Sequence, residues 1–137
     1  MKNTLIPRWI VIYAALLSIF AFVMGGWTWL ASDNFLISMG TPLDGDGKDM
    51  ILYLFAARNL AFGTIFAIAL LFFPRRDVFL TIFSGRFVVD LFDTLGIYLV
   101  GRLNAVAIIS QLAIFLIPIA ACIYQLWQMN ATNEIEN

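Results

Sequence analysis

The chain has 137 residues, 62% hydrophobic and 12% charged, with a net charge of −1. Soluble domains average about 45–50% apolar and about 25% charged, and a soluble chain this short has too little interior to hide so many Phe, Leu and Ile side chains. The charge balance leaves no basic footprint for nucleic acid. There is no His, which removes the commonest metal ligand and the commonest general base, and no metal site is expected. A single cysteine, Cys122, excludes an intrachain disulfide.

A bilayer core about 30 Å thick calls for about 20 apolar residues in a helix. Four stretches meet this: residues 9–30, 50–73, 78–100 and 105–127. The expected fold is all-α, a single polytopic domain built as an antiparallel bundle of four transmembrane helices. Its punctuation fits. Pro7 suits an early helical position, where no donor is needed. Asp49, Asp77 and Asn104 stand where N-caps of the second, third and fourth helices belong, and the two carboxylates also complement the helix dipole. Pro74 ends the second helix and Gly101 the third. Pro118 falls inside the fourth and predicts a kink. For the first helix the alternative is a cleaved signal peptide. Its apolar run is long for that role and no convincing A-x-A site follows, so it is read as retained.

Lys2, Arg8, Arg75 and Arg76 flank one side of the expected bundle; Lys48 and Arg102 flank the other. The positive-inside rule then places both termini in the cytoplasm and the 31–49 loop outside. Trp9 and Trp127 would mark the inner interface, and Trp27, Trp29, Tyr53 and Tyr98 the outer one. The loop sequence Asp44-Gly45-Asp46-Gly47-Lys48-Asp49 brushes against a calcium-loop pattern. Lys48 stands at a ligand position and no Glu follows at the twelfth, so it reads as turn chemistry and a helix cap. The Asn130-Ala131-Thr132 sequon falls on the cytoplasmic side and is read as chance.

Four ionisable residues lie within the apolar spans: Arg58, Arg86, Asp90 and Asp93. Each would cost roughly 2.5–3.5 kcal/mol at a helix centre, on the order of 10–14 kcal/mol for four left unpaired. That rivals the stability of a typical domain, so they must be paired or hydrated. Arg86, Asp90 and Asp93 stand at i, i+4 and i+7 and share one helix face. The short connection at Arg75–Arg76 makes the second and third helices antiparallel neighbours. Arg58 and Asp93 are equidistant from that connection, and Arg58–Asp93 is the expected interhelical pair, with Asn59 adding an amide at the same depth. Arg86 can reach Asp90 along its own helix. Because Arg preceding Asp is the weaker order, Arg86 is also free on this reading to bond another helix or a ligand. Thr64, Ser84, Thr94, Ser110 and Gln111 are the supporting polar candidates. The cluster reads either as a structural bolt that fixes helix register or as a polar binding site within the bundle.

Ala57-Arg58-Asn59-Leu60-Ala61-Phe62-Gly63, followed by the Arg86-x-x-x-Asp90-x-x-Asp93 helix, resembles the pattern of DoxX-like small membrane proteins. The resemblance implies a four-helix protein of the bacterial cytoplasmic (inner) membrane. It makes Arg58, Asn59, Arg86, Asp90 and Asp93 the positions to watch. Some members of that group are linked to quinone-dependent oxidation; no cysteine pair here would support thiol redox chemistry. The leading functional expectation is a non-catalytic accessory subunit or an intramembrane binding module. It would hold a lipid or quinone, an apolar molecule with a polar head, or dock in a membrane complex or homo-oligomer. A membrane-embedded enzyme would use Asp90 or Asp93 as its acid–base group. A small oligomeric transporter or proton path is the third reading, though no broken-helix pair is seen.

Overall fold

The computed structural model describes residues 6–31, 48–99 and 109–135. All regular structure among them is helical. Helix α1 spans Arg8–Leu30, α2 Lys48–Phe72 and α3 Arg76–Leu99. Helix α4 begins within the described residues at Ile109. It passes through a π-helical turn at Leu112–Leu116 and continues as α-helix over Ile117–Ile135. It thus runs past Trp127, where the apolar stretch suggested an end, because residues 128–135 have ordinary helix-forming side chains and no Pro or Gly to stop them.

Local chemistry sets the ends. Pro7 is the N-cap of α1, and its carbonyl accepts from the amides of Ile10 and Val11 at 3.0 and 3.3 Å. Asp49 and Asp77 do not cap; both lie inside the first turn, where a carboxylate still favours the positive end of the helix dipole. Before α3 the carbonyl of Arg75 accepts from Phe79 at 3.1 Å. Asn104, Gly101 and residues 44–47 of the calcium-like loop lie outside the described residues. Pro118 follows the π turn directly. Proline has no N–H and its ring crowds the carbonyl four residues back; here the strain is taken up by five-residue spacing, with Ile117 N–H bonding Leu112 O.

Three helices, Arg8–Leu30, Asp49–Phe72 and Ile109–Ala131, are long and apolar enough to cross a membrane. Helix α3 is as long, but Arg86, Asp90 and Asp93 interrupt its apolar run. The spans are apolar on their outer faces too: Leu16 is 58% and Leu54 60% exposed. A helix apolar all round belongs in a hydrophobic surrounding rather than at a water-facing surface.

The chain divides into two compact units, one holding α1 and α2, the other α3 and α4. In the first, Ser18 meets Gly63, Gly25 meets Ala56 and Leu60, and Trp29 meets Tyr53. One number falls as the other rises, so α1 and α2 are antiparallel. In the second, Arg76 reaches Met129, and Ser84 to Val88 share a groove with Ala120 to Trp127. That pair is antiparallel as well.

The buried positions repeat at four-three spacing. In α1 they include Ile10, Ala14, Leu17, Ser18, Ala21, Gly25 and Thr28; in α2, Leu52, Ala56, Asn59, Gly63 and Phe66; in α3, Phe79, Phe83, Arg86 and Asp90. A 3.5-residue repeat keeps one seam facing a partner helix, as in left-handed supercoils. In the first hairpin the seam is small. A Cβ on Gly25 would stand 3.0 Å from Ala56 O and 2.8 Å from Leu60 Cγ, and one on Gly63 would stand 3.2 Å from Ser18 O. Small residues let backbones approach in this way. The buried Ser18 hydroxyl uses that proximity to donate to Gly63 O at 2.8 Å.

Candidate functional site: the buried ion pair of α3

Along α3 the buried seam changes character. It opens with Phe79 and Phe83, whose rings lie 6.2 Å apart, and then becomes ionic with Arg86 and Asp90. Arg86 is 8% exposed and Asp90 1%. Arg86 Nε donates to Asp90 Oδ2 at 2.8 Å, and Nη2 meets Oδ1 at 2.8 Å. This is the two-pronged guanidinium–carboxylate geometry that makes the strongest charge-assisted bonds. Arg86 therefore turns to Asp90 along its own helix. The unfavourable order of the pair, a matter of a few tenths of a kcal/mol on exposed helices, is outweighed because charges in a low-dielectric surrounding attract far more strongly.

One turn on, the Thr94 hydroxyl donates to the Asp90 carbonyl at 2.7 Å, a bond to backbone that leaves the carboxylate to Arg86. Asp93 shares this helix and is half-buried. In the other unit, Asn59 is buried and its Nδ2 donates to Phe55 O at 2.9 Å, so the amide is turned to its own helix. The Arg58 guanidinium carbon lies 5.3 Å from the centroid of the Phe55 ring, within cation–π reach. Arg58 belongs to the first unit and Asp93 to the second.

The supporting candidates divide. Thr94 adjoins the ion pair. Thr64 is exposed and bonds back to Leu60 O at 2.8 Å. Ser110 is exposed and Gln111 half-buried, just ahead of the π turn. Ser84 lies on a different face of α3 from Arg86, in an open apolar groove of about 430 Å³. Val88 and Phe87 of α3 and Ala120, Tyr124 and Trp127 of α4 also line it. That groove and the Ser18–Gly63 bond were not foreseen. The four-three spacing of Ala14, Ser18, Ala21 and Gly25 was the available signal for the bond.

At one end of the second unit Arg75 bonds Asp77 through Nε at 3.1 Å and Nη2 at 2.7 Å. Arg76 Nη1 donates to Met129 O at 3.1 Å. Cys122 is a free, buried thiol. No group of three His, Cys, Asp or Glu among the described residues could hold a metal ion. No family model, curated protein or solved structure matches this chain.

Proposed function

We propose that the chain is a four-span integral membrane protein without catalytic activity of its own. It acts as a binding module for an apolar molecule with a polar head, a lipid or a quinone, or as an accessory subunit in a larger membrane assembly. In this reading α3 is the fourth span, the four helices form one antiparallel bundle, and both termini face the cytoplasm. The resemblance of Ala57–Gly63 and of the Arg86-x-x-x-Asp90-x-x-Asp93 helix to DoxX-like proteins supports Arg58, Asn59, Arg86, Asp90 and Asp93 as its polar positions.

One observation carries the reading: Arg86 and Asp90, both buried, close on each other through two bonds within one helix. Both carboxylate oxygens are occupied by a guanidinium, which suits a fixed neutral dipole better than a group that must gain and lose a proton on each turnover. Such a dipole can orient the polar head of a ligand or fix the register of a docking helix. Breaking it would leave an uncompensated buried charge, which favours keeping the pair closed.

The test is native mass spectrometry of the protein extracted in mild detergent from the membranes in which it is expressed. A stoichiometric lipid-like ligand or protein partner is expected. A protein that is always alone and ligand-free would overturn the proposal.

A further inference from the structure

The α3–α4 groove is not part of the ion pair, and its chemistry is graded along its length. Its walls are Phe87 and Val88 on one helix and Ala120, Tyr124 and Trp127 on the other. Trp127 stands two residues before Met129, whose carbonyl is bonded by Arg76. The wall from Trp127 to Ala120 covers seven residues, about 10 Å at 1.5 Å per residue. On the α4 wall the groove starts two residues from the carbonyl that Arg76 bonds, and on the α3 wall it starts at Ser84, about 12 Å along the helix from Arg76. Tyr and Trp at such a level belong to the membrane–water interface, and here the Tyr124 hydroxyl is bonded by Gln128 Nε2 at 2.5 Å.

Among the described side chains, Arg75 and Arg76 face one nearby carboxylate, Asp77, which takes up Nε and Nη2 of Arg75. The side chain of Arg75 is 71% exposed. Arg76 has its Nη1 on Met129 O, and its Nε is buried with no hydrogen-bond partner among the described residues, so Nη2 is the atom left to face outward. Among the described side chains this leaves one guanidinium without a carboxylate at that end of the second unit. Guanidinium groups are suited to phosphate oxygens.

We infer that this groove is a phospholipid site: one acyl chain lies along the α3–α4 groove and the phosphate of an anionic headgroup meets Arg75 and Arg76. The volume is within the range of pockets that hold small molecules, about 300–1,000 Å³. Its openness suits a chain entering sideways from the bilayer. The inference rests on the membrane reading above but not on the role proposed for Arg86 and Asp90.

The test uses the full chain in vesicles of equal parts phosphatidylglycerol and phosphatidylcholine, extracted in detergent and weighed by native mass spectrometry. Retention in carbonate-washed membranes checks the membrane reading separately. One retained lipid per chain is expected, with phosphatidylglycerol in excess. Ala120→Phe, at an exposed position where added bulk meets the groove and not the helix seam, should abolish retention. Arg75→Gln with Arg76→Gln should remove the preference for phosphatidylglycerol. A charge-free Arg86→Met, Asp90→Leu variant should keep this lipid, which separates it from any ligand of the ion pair. Equal retention of the two lipids by the wild type, no retained lipid, or undiminished retention by Ala120→Phe would each overturn the inference.

Discussion

The two hairpins are held together by different means. In α1–α2 the seam is Ala14, Ser18, Ala21 and Gly25 against Ala56, Asn59 and Gly63, and its strength is closeness of backbone. In α3 the seam is two Phe rings followed by an ion pair. Apolar side chains gain little by leaving lipid for one another, so helices in a membrane associate through packing and hydrogen bonds. The first hairpin takes the packing route almost alone. The second carries charge, and so must keep that charge neutralised at every moment. One seam should therefore respond to volume and the other to charge.

The largest effect should come from the ion pair. Asp90→Asn or Arg86→Gln leaves its partner buried without a counter-charge, a loss of about 3–5 kcal/mol for such pairs. Thermal unfolding in detergent should show it as failure to fold or a large fall in Tm. A matched Arg86→Met, Asp90→Leu chain should recover most of it, since apolar replacement of a whole buried pair is often neutral or better. Single variants as stable as the wild type would remove the charge argument.

Volume should matter next, and at one glycine rather than its neighbour. Gly25→Val meets Ala56 O and Leu60, and overpacking of this kind costs about 1–3 kcal/mol. Gly26 has open space around its Cβ position, and Gly26→Ala should be neutral or stabilising by up to about 1 kcal/mol through helix propensity. Equal destabilisation by both would show that the seam is not where the contacts put it.

The sequence also raises a pairing of Arg58 with Asp93, from their equal distance to the Arg75–Arg76 connection, and a smaller, coupled response tests that proposal. Asp93→Asn should lower Tm, and adding Arg58→Gln should recover part of the loss; strictly additive losses would exclude direct pairing. The smallest effect belongs to Ser18→Ala, which deletes one hydrogen bond to Gly63 O. Interhelical bonds of this type average about 0.6 kcal/mol in a membrane protein, so a shift above about 2 kcal/mol would mean that Ser18 does more than bond Gly63.

Much of this was legible in the residues. Apolar run length marked the helices to within a few residues, and the i, i+4, i+7 spacing put Arg86, Asp90 and Asp93 on one face. The end of α4 was not legible, because the apolar run stops at Trp127 while the backbone needs only helix-compatible residues to go on to Ile135. The caps were misplaced by one or two residues because Asp serves nearly as well inside a first turn as before it. The partner of Arg86 was left open because the rule for pair order comes from exposed helices, and burial changes the balance. The groove could not be read at all: it depends on which faces of α3 and α4 diverge, and Ser84, Phe87 and Tyr124 carry no pattern that announces a gap. Its location away from Arg86 also shows why a list of polar residues is not yet a site.

The Arg86–Asp90 pair of α3 is proposed as a binding element in addition to any structural role. The direct test compares the wild type with the Arg86→Met, Asp90→Leu chain by native mass spectrometry, with circular dichroism and Tm confirming that both are folded. The folded charge-free chain is expected to lose the ligand or partner that the wild type retains, while any phospholipid in the α3–α4 groove stays. A folded charge-free chain that keeps the same species in the same stoichiometry would contradict it and leave the pair as a structural device alone.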